Sequence, residues 1–177
     1  MVAGLNMGGQ KMSNALRWVL LVLAVLMAHA AYARSPWVRS SDYRRFRVVV
    51  SPDASPTDRL AAEKFQEYWQ KSTNYACAIA DDSSATAVNV YVGIDAIPDQ
   101  YLSKLDLDTL DVDGVIIRTV GRGRNQRALI LVGQGDRGTL YSVYEFFERY
   151  MGIRWLAPGV THIPEAPGEL PAARYRY

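Results

Sequence analysis

Two periodicities run along the chain. Phe46 to Val50 (FRVVV) and Val88 to Val92 (VNVYV) are short runs rich in β-branched residues, which predict strands. Between them Ser55, Pro56 and Asp58 form a helix start, with Ser55 as N-cap and Pro56 at the first helical position. From there to Asn74, Ala61, Phe65, Tyr68 and Trp69 recur at helical spacing, while Glu63, Lys64, Glu67 and Lys71 fall on the water side. Further on, Val115 to Val120 and Arg127 to Val132 flank a Gly/Asn loop and predict a hairpin. A second helix is predicted over about Arg137 to Met151. Leu140, Val143, Tyr144, Phe147 and Met151 make its apolar face, and Ser142, Glu145, Glu148 and Arg149 its polar face. Gly152 stops it, because glycine accepts the left-handed C-cap. Ile153 to Leu156 then predicts a short strand. Asp95 to Asp113 predicts an irregular turn and a loop, and the proline-rich tail carries no helical pattern. The order β-α-β-β-β-α-β implies an α+β fold, with a mixed or mainly antiparallel sheet and both amphipathic helices on one face.

The N-terminus has a different pattern. Trp18 to Ala28 is an uncharged apolar run of 11 residues, preceded by Lys11 and Arg17 and followed by Ala31-Tyr32-Ala33. A basic region, a short apolar core and an A-x-A site together predict a signal peptide over residues 1–33. A membrane-spanning helix needs about 20 apolar residues, and Arg34 and Arg39 close this run too early. Removing 33 of the 177 residues leaves 144 and takes two of the 20 basic residues but none of the 18 acidic ones. The net charge of +2 therefore belongs to the export signal, and the mature chain is formally neutral. That balance argues against nucleic acid as a partner. Contact with a membrane is expected only through the export signal. Residues 34–45 read as a flexible lead-in, 46–165 as the domain, and 166–177 as a linker.

Candidate chemistry is sparse. Gly133-Gln134-Gly135-Asp136-Arg137-Gly138 matches G-x-G-x-x-G, follows a predicted strand and opens a helix. In a dinucleotide fold such glycines bring the backbone against a pyrophosphate at the helix N-terminus. Here no acidic residue ends the next strand, and too little chain follows for the remaining βα units. The motif therefore reads as a tight strand-to-helix turn with Asp136 capping the helix. Asp106, Asp108, Asp111 and Asp113 fail as a calcium loop: with Gly114 at the sixth position, Thr109 and Val120 would hold the two decisive ligand places. Arg118, Arg122, Arg124 and Arg127 surround the hairpin tip without interleaved aromatics, and read as a solvated loop. Cys77 and His162 remain after signal removal, with nothing in the sequence to position them as a nucleophile pair. Glu145 and Glu148 sit an i,i+3 step apart on one helix, whereas glycosidase carboxylates come from opposite sides of a sugar. Tyr141 and Trp155 fall where core packing is expected. No catalytic residue, metal ligand or cofactor is expected from these patterns.

One stretch is more specific. Gly135 to Pro164 reads GDRGTLYSVYEFFERYMGIRWLAPGVTHIP. It resembles the signature of the N-terminal domain of glycoside hydrolase family 67 α-glucuronidases and of related accessory domains in bacterial hydrolases. Arg137, Gly138, Tyr141, Glu145, Phe146, Glu148, Gly152, Arg154, Trp155, Pro158, Gly159 and Pro164 occupy the matching places, with Phe147 in place of the usual leucine. The upstream hairpin, Asp113 to Ile117 and Ala128 to Gly133, matches as well; the resemblance is weakest before Val88. It implies a domain similar to the second domain of family 20 β-hexosaminidases, zincin-like in topology but without the zinc site. In those families the domain is not catalytic, and the chemistry lies in a following (β/α)8 barrel. The resemblance thus implies an exported accessory domain, with Arg137, Gly138, Tyr141, Glu145, Gly152, Arg154, Trp155, Pro158 and Gly159 in structural roles. It also implies a barrel in cis as the partner in relatives, and residues 166–177 as a linker towards one that this chain does not contain. The alternative is a stand-alone periplasmic module that binds a glycan or a protein.

Overall fold

In the computed structural model, residues 36–121 and 127–177 are described, together with Trp18, Val19 and Leu21; the side chain of Asp136 is not. The chain divides into residues 1–35 and 36–177. In the first unit Trp18, Val19 and Leu21 are helical and exposed. The signal-peptide boundary, Arg122 and Arg124 lie outside the described residues. No described helix is long and apolar enough to cross a membrane.

The second unit is built on a six-stranded sheet. In chain order the strands are β1 (Val38–Arg39), β2 (Phe46–Val49), β3 (Ala78–Ala80), β4 (Val88–Val92), β5 (Val115–Val120), β6 (Ala128–Gly133), β7 (Arg154–Ala157), β8 (Val160–His162), β9 (Glu169–Leu170) and β10 (Arg174–Arg176). The main sheet runs β10-β5-β6-β4-β2-β3. Its β3, β2, β4 and β6 pair in parallel, while β5 and β10 are antiparallel to their neighbours. The sheet is thus mixed, with a parallel centre rather than a mainly antiparallel one.

The helices are α1 (Pro56–Thr73), the one-turn α2 (Asp99–Leu102) and α3 (Gly135–Met151). The start of α1 follows from its sequence: Ser55 Oγ accepts from the Asp58 amide at 3.1 Å and donates to the Asp58 carboxylate at 2.8 Å. It ends where Asn74 turns left-handed (φ 62°). Helices α1 and α3 pack together on one sheet face. Phe65 and Trp69 of α1 and Phe146 and Phe147 of α3 meet Val48, Val90, Ile117 and Leu129 of the strands there. Phe65 stacks on both Trp69 and Phe146 at 5.6 Å, so aromatic rings fill the layer between helices and sheet.

The opposite face is also covered. Val49, Tyr91, Ile116, Ile130 and Val132 alternate with the helix-facing set. They are capped by Ile97, Tyr101, Leu105 and Leu107 from the segment expected to be a loop. This is why VNVYV and ALILV read as continuous apolar runs.

Three expectations are corrected. Residues 36–45, the described part of the expected lead-in, are not free: Trp37, Val38 and Tyr43 are buried, β1 pairs with β9, and a 3-10 helix spans Ser40–Arg45. The Tyr43 hydroxyl donates to the Pro167 carbonyl at 2.6 Å, and burial pushes its pKa up to about 12. Residues 166–177 are not a linker, because β9 and β10 lie within them and β10 extends the main sheet. Finally, Ser142 is fully buried on α3 rather than on its water side. Its hydroxyl is satisfied by the Thr139 carbonyl at 2.6 Å, which makes that position tolerable in the core.

Candidate functional site

The glycine motif is a packing device. A Cβ on Gly133 would stand 2.2 Å from the Gly138 backbone, and one on Gly138 would stand 2.7 Å from Gly133. Strand β6 therefore enters α3 with two backbones in direct contact, and the Gln134 amide donates to the Gly114 carbonyl at 2.8 Å. The N-cap position belongs to Gln134, without a side-chain cap, and not to Asp136. Arg137 reaches across to Asp113 at 2.7 Å, and Asp113 holds a left-handed turn (φ 63°) into β5. Asp113-Gly114 forms a turn into β5, in which the Gly114 amide donates to the Asp111 carbonyl at 2.8 Å.

At the other end of α3 the signature residues close the helix. Gly152 adopts φ 76°, and Arg154 donates to the last-turn carbonyl of Glu148 at 2.7 Å. Trp155 packs edge-on to Tyr68 and Tyr144, and its Nε1 donates to the Tyr68 hydroxyl at 3.1 Å. Pro158 and Gly159 form the β7–β8 turn, with Gly159 at φ 77°.

Tyr141 departs from its expected core position. It is 37% exposed, stands 5.7 Å from the Arg137 guanidinium, and lines a groove of about 370 Å³ along α3. Tyr144, Glu145, Glu148, Tyr175 and Tyr177 join it there. Glu145 pairs with Arg149 at 2.5 Å, and Arg149 lies 3.8 Å over the Tyr175 ring and donates to its hydroxyl at 2.9 Å. Glu148, by contrast, faces Arg154 at 3.8 Å. The two glutamates are therefore committed to different arginines.

A second groove, of about 490 Å³, opens on the opposite sheet face beside the β5–β10 edge. It gathers Lys104, Arg118, Arg174 and Arg176 with one carboxylate, Asp106. Sequence inspection grouped Arg118 with the hairpin tip, and missed its partners in the tail because only strand register brings them together. Arg127 leaves that group too. It is held by Asp42 at 2.9 Å, and Asp42 also takes Arg45 at 3.1 Å. Burial pulls the Asp42 carboxyl upward, but the hydrogen bonds and charges of the two arginines outweigh it and hold the pKa below the ordinary value.

Cys77 is buried, and desolvation pushes its thiol up to about 12, while His162 is exposed in β8. No hydrogen bond joins them. Among the described residues, no group of three or more His, Cys, Asp and Glu is gathered in metal-binding fashion.

Fold and turn together define an α+β domain whose most patterned residues serve its own architecture. Residues 34–146 match the sequence family described as Glycosyl hydrolase family 67 N-terminus, and the chain belongs to that family. The match takes in the first turns of α3 and the segment before Val88, and stops short of Gly152 to Pro164. No curated protein sequence matches the chain. A solved structure similar to it is that of a family GH115 4-O-methyl-α-glucuronidase with specificity for decorated arabinogalactans, at a TM-score of 0.49 and 14% identity. The similarity covers 75% of this chain and 17% of that protein's length.

Proposed function

We propose that the chain is an exported, non-catalytic accessory domain of a glycoside hydrolase, of α-glucuronidase or hexosaminidase-like type, acting in polysaccharide breakdown. Its role is to support a catalytic barrel, not to cleave the glycan itself. The observation that carries this reading is the use made of the family-signature residues. Gly138 packs on Gly133, Arg137 ties Asp113, Glu145 ties Arg149, and Trp155 braces Tyr68. Each is engaged inside the domain, and the two signature glutamates that border one groove, Glu145 and Glu148, are paired with different arginines rather than set across a substrate from each other. Export draws support from the family match, which begins at Arg34, the residue after the A-x-A site.

The test is an assay of the purified chain on aryl glucuronides and aryl hexosaminides. No turnover is expected. Activity that persists through purification and is lost in Glu145→Gln or Glu148→Gln overturns the reading. For export, fractionation and N-terminal sequencing should find a mature protein outside the cytoplasm that begins at Arg34.

A further inference from the structure

Arginines directly opposite one another on paired strands repel, and a fold normally avoids them or places an acid between them. Strands β5 and β10 do the reverse. Arg174 is the register partner of Arg118. Val115 and Tyr177 exchange both backbone hydrogen bonds at 3.1 Å. Three residues along, the alternation of an antiparallel ladder makes Arg118 and Arg174 a close, non-hydrogen-bonded pair whose side chains leave from the same face. Arg176, two residues beyond Arg174, shares that face. Lys104 adds a fourth cation at the rim. Arg176 is partly answered, by the Thr109 hydroxyl and by Asp106 at 3.7 Å. Arg118 is anchored by donating to the Lys104 carbonyl at 3.1 Å, which fixes its position without neutralising it. Neither Arg118 nor Arg174 has a carboxylate within ion-pair distance among the described residues.

We propose that this groove is a binding site for an acidic sugar, with the carboxylate of a hexuronate unit held between the Arg118 and Arg174 guanidiniums. Two guanidiniums flanking one carboxylate supply charge-assisted hydrogen bonds in planar geometry. The groove gives the half-buried Leu105 for the apolar face of a pyranose ring, and Asp106 as an acceptor for its hydroxyls. Its volume of about 490 Å³ falls within the range of small-molecule sites. Asp106 also decides between anions. A polyphosphate would meet a carboxylate inside the cationic strip, whereas a ligand with a single carboxylate on each polyhydroxylated ring can place hydroxyls against it. The proposal goes beyond the accessory-domain reading and does not depend on it, since the site lies on a sheet face away from the α3 groove.

The experiment is calorimetric titration of the full chain with trigalacturonate, with maltotriose as the uncharged oligosaccharide and with inorganic phosphate. Saturable binding of trigalacturonate alone is expected. Affinity should fall by about tenfold or more in Arg118→Gln/Arg174→Gln, the loss of even one of the two charge-assisted contacts being worth that much. It should stay unchanged in Arg44→Gln, which removes the same charge from an exposed position elsewhere. The unliganded Arg174→Gln variant should melt no lower than the parent, because a like-charge pair has been relieved while Arg118 keeps its hydrogen bond to the Lys104 carbonyl. Should the double variant not fold, Arg174→Gln alone carries the test, as Arg174 is exposed. Absence of trigalacturonate binding, equal binding of maltotriose, binding of phosphate in its place, or undiminished affinity in the folded variant overturns the proposal.

Discussion

Asp42 accepts a 2.9 Å hydrogen bond from Arg127, 85 residues further along the chain. The pair fastens the 3-10 helix ahead of β2 to the residue that opens β6, with Arg45 completing a two-arginine clamp on one carboxylate. The segment read as a lead-in is thus an integral edge of the domain.

The clamp makes stability depend on pH in a definite direction. Asp42 has a folded-state pKa below its ordinary value of 3.8. Its contribution is therefore complete above that value and is lost as pH falls through the folded pKa. Asp42→Asn is expected to cost about 2 kcal/mol at neutral pH, by leaving two arginines without their acid. Urea unfolding at a series of pH values checks this. The gap between parent and variant should close on acidification below about pH 4.

Gly133→Ala drives a methyl group into the Gly138 backbone, where neither side can yield as a flexible side chain would. A loss of about 2–3 kcal/mol is expected, in the range of overpacked cores. Gly168→Ala, with open space around the added carbon, should be nearly neutral by the same denaturant titration. Comparable losses at both positions would refute the packing account of the motif.

Trp155 and Tyr68 couple β7 to α1 through one hydrogen bond at a half-buried site. Tyr68→Phe is expected to cost about 1 kcal/mol. Trp155→Phe removes ring area as well and should cost more. A double-mutant cycle isolates the bond, and additive losses would show that the contact contributes nothing of its own.

Cys77 should be inert in the folded protein. It is 1% exposed, and burial pushes its thiol up to about 12, so almost no thiolate exists at neutral pH. A thiol reagent should modify it only as the chain unfolds, with a rate that follows denaturant concentration.

The long elements were legible because local chemistry specifies them. Ser55, Pro56 and Asn74 bound α1 where the pattern places them, and Gly152 closes α3. What escaped depends on partners far along the chain. Two- and three-residue strands such as β1, β3, β9 and β10 carry too few side chains for a period, and exist because a neighbour completes their ladder. The 94–110 segment lacks helical spacing, yet its leucines cover a whole sheet face. On α3, Thr139 and Ser142 are buried while Tyr141 is exposed, against a reading based on one apolar stripe. The Arg118–Arg174 pairing is a matter of register, and no motif announces it.

The β1–β9 ladder bears on the order of folding. The Trp37 amide donates to the Leu170 carbonyl at 2.9 Å, and Tyr43 reaches Pro167 across 124 residues of chain. Contacts of such sequence separation carry the largest loop-closure entropy, so they are the last to repay it. On the ribosome, β1 leaves the exit tunnel long before β9 exists, although Phe46 and Trp69, the rings against which Trp37 and Tyr43 pack, follow close behind. The first described strand is therefore among the last to be secured, and its backbone must wait for a partner in the nascent chain.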